Sequence, residues 1–328
     1  MTEKTVLITR LIPQAGIDLL VERYHVIINE HDRPLTDAEL LDLSQECDGL
    51  LCLLTDTIDE AFFDARPNIV AVANYAVGFN NIDIQAATSR GIPISNTPGV
   101  LTDATADLAF ALIFSAARRI VQADTHLRSG NWGGWGPMQF LGSGVWGATL
   151  GVVGMGNIGR AVAQRGAGMN MTVCYTDDFI PEDTDFGFPA TRLSLEELLE
   201  TADFISLHVP LTPKTRHFIG RPEISRMKKT AYLINTSRGP VIDESALTEA
   251  LKNGDIAGAG LDVYEHEPTV TKDLLKLPNT VLLPHIGSAT EKARTDMAVM
   301  AARNLIAMLE RNEIPNLVNR EYVKHGSS

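Results

Sequence analysis

Three charged side chains in the second half of the sequence are of types that bind an organic anion and move a proton. They are Arg238, Glu267 and His285. Arginine offers a planar fork of N–H donors that can bridge carboxylate and carbonyl oxygens. Histidine can give or take a proton near neutral pH. A glutamate paired with the histidine ring would fix its orientation and favour its protonated form, so the three together suit proton transfer to a small acid.

Each of these residues lies just beyond a short apolar run that predicts a β-strand. The runs are residues 231–234, 256–261 and 281–283. Because the carboxyl ends of parallel strands form the ligand-binding edge of a sheet, this placement predicts a single site. Taken alone, Arg238 could be a surface charge and His285 a structural histidine. His266 also competes with His285, although it should face away if Glu267 faces inward.

A glycine pattern at residues 154–159, Gly-Met-Gly-Asn-Ile-Gly, follows an apolar strand and opens a helix. This is the context that a dinucleotide-binding turn requires. Gly154 permits the tight turn, Gly156 lets the backbone approach a pyrophosphate, and Gly159 lets the helix pack closely on the strand. The helix N-terminus adds free N–H groups and a positive dipole end for the phosphates.

Asp177 ends the next predicted strand, near the spacing expected for the carboxylate that binds the adenosine ribose. A carboxylate there would repel a 2′-phosphate, and no arginine or lysine follows within reach in the sequence. We therefore expect NAD as the cofactor, with NADH preferred over NADPH. The alternative is that Asp177 and Asp178 merely begin a solvated loop.

Taken together, these features suit the reduction of a 2-keto acid. That reaction needs a cation for the carboxylate, a donor that polarises the carbonyl, and an acid that delivers a proton as hydride arrives. Arg238 can supply the first two, and His285 can act as acid in reduction and as base in oxidation. No histidine or cysteine spacing typical of metal sites is present, so we expect no metal.

The surrounding elements predict an α/β fold with two parallel sheets. Short β-branched runs alternate with helical patterns twice, and such alternation indicates right-handed βαβ units. A chain of 328 residues is long enough for two domains. One long helix is predicted over residues 102–128, and a helix beginning near residue 289 is expected to return to the first domain.

All three tryptophans, Trp132, Trp135 and Trp146, fall in the glycine-rich stretch 129–147. Tryptophan is enriched in the cores of protein interfaces, so this stretch predicts a subunit contact. We expect a homodimer formed through segment 118–146. The alternative is a surface loop that folds its own tryptophans inward.

The composition narrows the classes of partner and compartment. The formal net charge is −13, which disfavours nucleic acid and anionic membrane surfaces as partners. The three cysteines, an odd and sparse set, suit a reducing compartment better than a disulfide framework, so we expect a cytoplasmic protein.

At this point the sequence resembles the D-isomer-specific 2-hydroxyacid dehydrogenase family over nearly its whole length. The segments that carry the resemblance are residues 101–107, 154–159, 208–212, 235–239, 261–268 and 284–288. The resemblance implies a flavodoxin-like substrate domain of residues 1–98 plus 288–328. It also implies a Rossmann cofactor domain of residues 99–287 inserted into that domain, and a dimer.

The resemblance further implies roles for individual residues. The catalytic set is Arg238, Glu267 and His285. Asp262 would contact the nicotinamide carboxamide. The residues expected to bind the cofactor are Thr105, Gly154, Gly156, Asn157, Ile158, Gly159, Asp177, His208, Pro210, Thr236, Asp262 and Gly287. Those expected to bind the substrate are Val77 and Gly78 through their backbone amides, Arg238, His285 and Ser288.

Within this family the chain looks most like the glyoxylate/hydroxypyruvate reductases. Several of those carry a small polar and a basic residue where this chain has Asp177 and Asp178, so the resemblance does not fix the cofactor. A D-lactate-type or branched 2-keto acid reductase is the enzymatic alternative. A non-catalytic NAD sensor is the other, because C-terminal-binding-protein corepressors resemble this family. Those corepressors carry extra terminal regions that we do not recognise here.

Overall fold

The computed structural model describes residues 4–181 and 183–321, which form two compact units. One unit runs to Leu101 and resumes at Ala289, and the other comprises Thr102–Ser288. Each unit is built on one sheet in which all the strands are parallel, of five and seven strands respectively. This confirms the predicted fold class. The domain boundaries expected from the sequence are 98/99 and 287/288.

The first unit has a five-stranded sheet in the order β2-β1-β3-β4-β5. The strands are β1 (Thr5–Ile8), β2 (His25–Ile28), β3 (Gly49–Cys52), β4 (Ala71–Asn74) and β5 (Ile94–Ser95). The helices are α1 (Gln14–Val21), α2 (Asp37–Leu43), α3 (Glu60–Ala65), α4 (Ile84–Ser89) and α11 (Glu291–Leu309). The core strands are buried on both faces, as expected of a parallel sheet covered by helices.

The second unit has a seven-stranded sheet in the order β12-β11-β10-β9-β6-β7-β8. The strands are β6 (Thr149–Val153), β7 (Thr172–Thr176), β8 (Thr191–Arg192), β9 (Phe204–Leu207), β10 (Tyr232–Asn235), β11 (Gly258–Leu261) and β12 (Thr280–Leu282). The helices are α5 (Thr102–Ala117), α6 (Ile120–Arg128), α7 (Asn157–Gly168), α8 (Leu195–Thr201), α9 (Arg221–Arg226) and α10 (Glu244–Asn253). The strand order reverses between β6 and β9, and ligands bind at such a switch point.

Two clusters of apolar side chains pack against the seven-stranded sheet, one on each face. Alternate residues of one strand enter different clusters: Leu233 of β10 packs with Leu198 and Leu247, whereas Ile234 packs with Leu112 and residues of α7. Side chains of successive strand residues point to opposite faces. Both faces are therefore covered, which explains why most residues of the central strands are apolar.

The single long helix predicted over residues 102–128 is wrong, because the structure breaks it into α5 and α6. Arg119 has a left-handed backbone (φ +54°), which ends one helix and starts the next. The carbonyl of Ala117 accepts the N–H of Ser143 at 2.9 Å and so ends α5. Eight residues of α5 are buried but none of α6, so the break falls where the chain reaches the surface.

Within the described residues, no helix is both long and apolar enough to span a bilayer.

Candidate active site

The second unit gathers most of the predicted site residues at one edge of its sheet. Strands β10, β11 and β12 are neighbours, and the segments that carry Arg238, Glu267 and His285 leave their carboxyl ends. The glycine turn leaves β6 at the same edge. The parallel order therefore brings together segments that are distant in sequence.

His285 and Glu267 form the central pair of this edge. Nδ1 of His285 lies 2.9 Å from Oε2 of Glu267, whose other oxygen accepts the N–H of Tyr264 at 3.0 Å. Burial would raise the pKa of Glu267. This effect is outweighed by the hydrogen bond and charge of His285, the N–H of Tyr264 and the charge of Arg238, so the net pKa is lowered. Glu267 is therefore ionised at neutral pH, and Nε2 is the ring atom directed away from it.

The backbone of His285 is held in an uncommon conformation by Asp262. Its φ is +56°, in the left-handed region that non-glycine residues seldom occupy, so the surroundings must hold it there. The N–H of His285 donates to the carbonyl of Asp262 at 2.9 Å. The two Asp262 carboxylate oxygens accept the N–H groups of Ile286 and Gly287, each at 2.7 Å. Asp262 thus fixes the whole turn that presents the histidine.

Asp262 is fully buried, and its pKa reflects competing effects. Burial raises this pKa most. The N–H of Ile286, the charge of His285 and the N–H of Gly287 lower the pKa, and the charge of Glu267 raises it. The net direction is upward. Its carboxylate oxygens are already engaged by backbone amides, a positioning role that sequence reasoning did not identify.

Arg238 begins the turn after β10, and the side chain of Asn235 shapes that turn. The fully buried Asn235 amide donates to the carbonyl of Arg238 at 3.0 Å and accepts the N–H of Ser237 at 2.9 Å. Burial lowers the pKa of the Arg238 guanidinium, and the charge of Glu267 opposes this shift. An arginine keeps its charge in proteins, so Arg238 brings a desolvated cation to the site.

Gly239 allows the Arg238 turn to pack directly on the turn that carries Glu267. A Cβ atom at position 239 would lie 1.8 Å from the carbonyl oxygen of Tyr264. No side chain fits in that space. The two turns are therefore in backbone contact, which explains why Arg238 and Glu267 influence each other's pKa.

A second set of acidic residues, missed by the sequence analysis, holds the loop that carries Glu267. The buried Glu244 carboxylate, at the start of α10, accepts the N–H groups of Glu265 and Thr271, each at 2.9 Å. Glu265 returns a bond, accepting the N–H of Glu244 at 3.2 Å, and its other oxygen lies 2.5 Å from Nε2 of His217. Both ends of the loop are thus fixed to α10.

His266 does not share this environment. Its side chain is 78% exposed, and the nearby carboxylate is Glu265, 4.0 Å away.

The glycine turn has the shape that a dinucleotide requires. Gly154 has φ +92°, and a Cβ there would lie 2.8 Å from the backbone of His208. A Cβ at Gly159 would lie 2.0 Å from the carbonyl oxygen of Gly154, so the helix start and the turn need both glycines. Gly156, by contrast, faces open space. Asn157 and Ile158 form the first turn of α7, whose N-terminus therefore opens toward solvent.

Two further observations fit a bound dinucleotide. The hydroxyl of Thr236, just beyond β10, is buried and has no hydrogen-bond partner among the described residues. A buried hydroxyl without a partner is costly, and a ligand would satisfy it. The Gly156 position leaves room for a phosphate to approach the backbone. The donor set and the open turn fit a nicotinamide dinucleotide.

Asp177 lies beside the glycine turn and helps to hold it. Its carboxylate accepts the N–H of Met155 at 2.7 Å and that of Phe179 at 2.8 Å. No arginine or lysine follows Asp177 closely in the sequence, but one approaches it in space. Arg192, on the unpredicted strand β8, donates to the carbonyls of Asp177 (2.6 Å) and Ile180 (3.1 Å). The reason is topological, since β8 pairs with β7.

The remaining predicted cofactor residues lie around the same edge. Gly287 is adjacent to Thr105, since a Cβ on Gly287 would lie 3.5 Å from the Thr105 methyl. Nε2 of His208 lies 2.8 Å from the hydroxyl of Ser206. Although part of His208 reaches the surface, burial of its ring lowers its pKa to about 3, so the ring is neutral. Pro210 is exposed and Ser288 is half-buried.

In the first unit, Val77 and Gly78 lie in a loop in which three successive carbonyl groups accept hydrogen bonds. Ala76 O accepts the N–H of Thr97 at 2.9 Å, Val77 O accepts Nδ2 of Asn96 at 2.7 Å, and Gly78 O accepts Nδ2 of Asn74 at 2.9 Å. The loop therefore has a defined orientation within its own unit.

Among the residues that the structure describes, no cluster of three or more histidine, cysteine or acidic side chains could hold a metal ion.

Comparisons with known proteins agree on one family. A sequence model described as "D-isomer specific 2-hydroxyacid dehydrogenase, NAD binding domain" matches residues 110–287. A glyoxylate reductase of Korarchaeum cryptofilum is 51% identical over 322 residues, covering 97% of each chain. A crystal structure of a Thermus thermophilus protein has TM-score 0.90 and 44% identity, covering 96% of this chain and 99% of that one.

A further solved structure contains a cofactor. It is an NADPH-dependent glyoxylate/hydroxypyruvate reductase of Sinorhizobium meliloti in complex with NADP and malonate. It has TM-score 0.85 and 32% identity, and the match covers 98% of each chain.

Proposed function

The chain belongs to the D-isomer specific 2-hydroxyacid dehydrogenase family, and from that membership we propose that it is a glyoxylate reductase. It would reduce glyoxylate to glycolate with a nicotinamide dinucleotide, and hydroxypyruvate to D-glycerate as a second substrate. The names of its relatives support this proposal. The single observation that carries it is the pairing of His285 with Glu267 beside the desolvated Arg238.

In this proposal the three residues have distinct tasks. Arg238 binds the substrate carboxylate and polarises its carbonyl through a guanidinium that burial has desolvated, which strengthens its electrostatic effect. When bound, the nicotinamide supplies the hydride that C2 of the substrate receives. His285 gives the proton at Nε2 to the carbonyl oxygen, and Glu267 keeps the ring oriented and its charge balanced.

Further substrate-binding groups are proposed from the resemblance to the family. The amides of Val77 and Gly78 are our proposed donors for the substrate carboxylate, and Ser288 lies in the same segment as His285. Asp262 and Thr105 are proposed to face the nicotinamide end of the cofactor. Thr236, His208 and Pro210 would border it along the sheet edge.

The experiment that tests this function compares the wild type with His285→Ala. With glyoxylate and NADH, the variant should lose turnover by a factor of about 10²–10⁴, the usual contribution of a general acid. Binding of NADH, followed by protein fluorescence, should be unchanged because His285 supplies no part of the phosphate site. Equal turnover by both proteins would remove His285 from the mechanism.

We propose that NADH is preferred to NADPH. The Asp177 carboxylate lies beside the glycine turn, and a negative charge there disfavours a 2′-phosphate. Arg192 already donates to two backbone carbonyls, which supports a role in holding the loop. Measuring kcat/KM with both cofactors tests this, and a clear preference for NADPH would overturn it.

Turnover measurements on several 2-keto acids distinguish the alternative substrates and the sensor role from the proposed function. Activity on pyruvate or a branched 2-keto acid far above that on glyoxylate would indicate a D-lactate-type or branched 2-keto acid reductase. NADH binding without turnover of any 2-keto acid would indicate a sensor.

We also propose a homodimer formed through segment 118–146. In this segment α6 buries no residue, and Trp135 and Met138 are 84% and 77% exposed. The other exposed apolar side chains here are Ile120, Val121, Leu127, Trp132, Leu141 and Trp146. Exposed apolar surface of this extent is typical of a protein interface. Light scattering should give twice the chain mass, and Trp135→Asp should shift it toward the monomer.

The proposed compartment is the cytoplasm. All three cysteines, Cys47, Cys52 and Cys174, are free and buried. Unpaired thiols suit a reducing environment.

A further inference from the structure

We propose that Asn96, Asn304 and Asn316 form a chain of positioning residues that directs the backbone amides of Val77 and Gly78 toward the substrate carboxylate. The inference rests on the proposed function, because it explains how that function's carboxylate donors are oriented. All five residues belong to the first unit.

The orientation of the two amides follows from peptide geometry. In a trans peptide the C=O and the following N–H point in opposite directions. The Ala76 carbonyl is held by the N–H of Thr97, so the N–H of Val77 points the other way. The Val77 carbonyl is held by Nδ2 of Asn96 at 2.7 Å, so the N–H of Gly78 points away from Asn96. The N–H groups of Val77 and Gly78 are therefore two adjacent donors, and each points away from the hydrogen bond made by the carbonyl of the preceding residue.

Asn96 is itself held at both of its backbone groups. Its carbonyl accepts Nδ2 of Asn304 at 3.0 Å, and its N–H donates to the carbonyl of Asn316 at 3.3 Å. Asn316 also donates through Nδ2 to Oδ1 of Asn304 at 3.1 Å. With the backbone of Asn96 fixed, its side-chain amide can reach only a defined position, which is the carbonyl of Val77.

The residue type at position 304 supports a purpose beyond packing. Asn304 is 1% exposed on α11, where its neighbour Leu305 shows that an apolar residue suits the core. Burying an amide is costly unless both its donor and its acceptor are used. An asparagine can accept from Asn316 and donate to Asn96 at once, whereas an aspartate could only accept. The chain of bonds therefore needs an amide at this position.

Loss of the Asn96 side chain should free the Val77 carbonyl. The peptide could then turn that carbonyl toward water and withdraw the N–H of Gly78 from the substrate. We therefore expect Asn96→Ala to raise KM for glyoxylate by about tenfold or more, the effect of losing one hydrogen bond to a charged group. The kcat at saturation should change far less, and NADH affinity should not change.

The matched control is Asn29→Ala. Asn29 is a buried asparagine of the same unit whose side chain makes three hydrogen bonds, and it lies just after β2, at the opposite edge of the same sheet from β5. The Asn29→Ala variant should have a lower unfolding temperature but an unchanged KM for glyoxylate. Asn304→Asp, which keeps an acceptor for Asn316 but loses the donor to Asn96, should raise KM by a smaller factor, about threefold.

The experiment measures KM and kcat for glyoxylate, and the dissociation constant of oxalate in the presence of NADH, for all four proteins. The expected result is a parallel rise in KM and in the oxalate constant in the order Asn96→Ala, Asn304→Asp, Asn29→Ala, with the last equal to wild type. Unchanged values in a folded Asn96→Ala or Asn304→Asp, or an equal rise in Asn29→Ala, would overturn the inference.

Failure of the proposed function has a different signature. If the wild type reduces another 2-keto acid, the same comparison with that acid judges the positioning chain. If the wild type binds neither oxalate nor any 2-keto acid, both proposals are wrong.

Discussion

His285 and Glu267 are joined through Nδ1 and Oε2 at 2.9 Å, although 17 residues separate them in the chain and they leave different strands. The contact places a carboxylate behind the imidazole and leaves Nε2 to face a ligand. The proposed mechanism depends on this pairing, because it orients the ring and balances the charge that the ring carries as an acid.

Replacing Glu267 by glutamine should weaken proton delivery without emptying the site. The amide keeps the shape of the side chain but removes the negative charge beside the ring. We expect kcat for glyoxylate to fall by about 10²-fold, with little change in NADH binding. Glu249→Gln, on the exposed side of α10, is the control and should keep full activity. A Glu267→Gln variant as active as the wild type would contradict the role.

The same variant should reveal the pH dependence of stability. The pKa of Glu267 in the folded protein lies below its ordinary value of 4.5, because His285, Tyr264 and Arg238 together outweigh the effect of burial. A carboxyl with a lowered folded pKa stabilises the protein fully above its unfolded pKa, and this contribution is lost as pH falls through the folded value.

The difference in unfolding temperature between wild type and Glu267→Gln should therefore be constant above about pH 5 and shrink below it. Thermal unfolding at half-unit steps from pH 7 to pH 3 measures this. A difference that grows as the pH falls would show that the carboxyl is not stabilised by its partners.

Asp262→Ala should affect both stability and catalysis. It leaves the partly buried N–H of Ile286 and the buried N–H of Gly287 without their acceptor, at about 1–3 kcal/mol for a fully buried unsatisfied donor. The turn that holds His285 at φ +56° would then relax. We expect a lower unfolding temperature and a reduced kcat, measured by calorimetry and steady-state kinetics. A loss of stability with full kcat would show that the histidine does not depend on Asp262.

Glu244→Gln tests the support of the Glu267 loop. A glutamine amide can replace only one carboxylate oxygen, so one of the N–H groups of Glu265 and Thr271 would face another donor. We expect a loss of about 1–3 kcal/mol in the free energy of unfolding and a lower kcat. Glu249→Gln, whose exposed pair with Arg221 should contribute about 1 kcal/mol or less, is again the control. Equal effects of the two variants would contradict the distinction.

Hydrophobic periodicity and glycine placement were enough to predict both parallel sheets and the strand ends beyond which the candidate site residues lie. The strand ends located Arg238, Glu267 and His285 because parallel strands order their carboxyl ends. The break at Arg119 was not predictable, since it depends on where the chain leaves the core and on the bond from Ser143.

Contacts between residues that are distant in the chain could not be predicted from the sequence either. An acidic residue in the first turn of a helix is common, so nothing in the sequence marked Glu244 as a buried clamp. Arg192 approaches Asp177 only because β8 pairs with β7. Asn96 and Asn304 are ordinary polar residues until β5 and α11 bring them together.

The most direct test of the central claim is kcat/KM with NADH for glyoxylate, hydroxypyruvate, pyruvate and a branched 2-keto acid, measured on wild type and His285→Ala. We predict the highest values for glyoxylate and hydroxypyruvate, and loss of turnover in the variant. Pyruvate turnover far above that of glyoxylate, or equal rates in both proteins, would contradict the account.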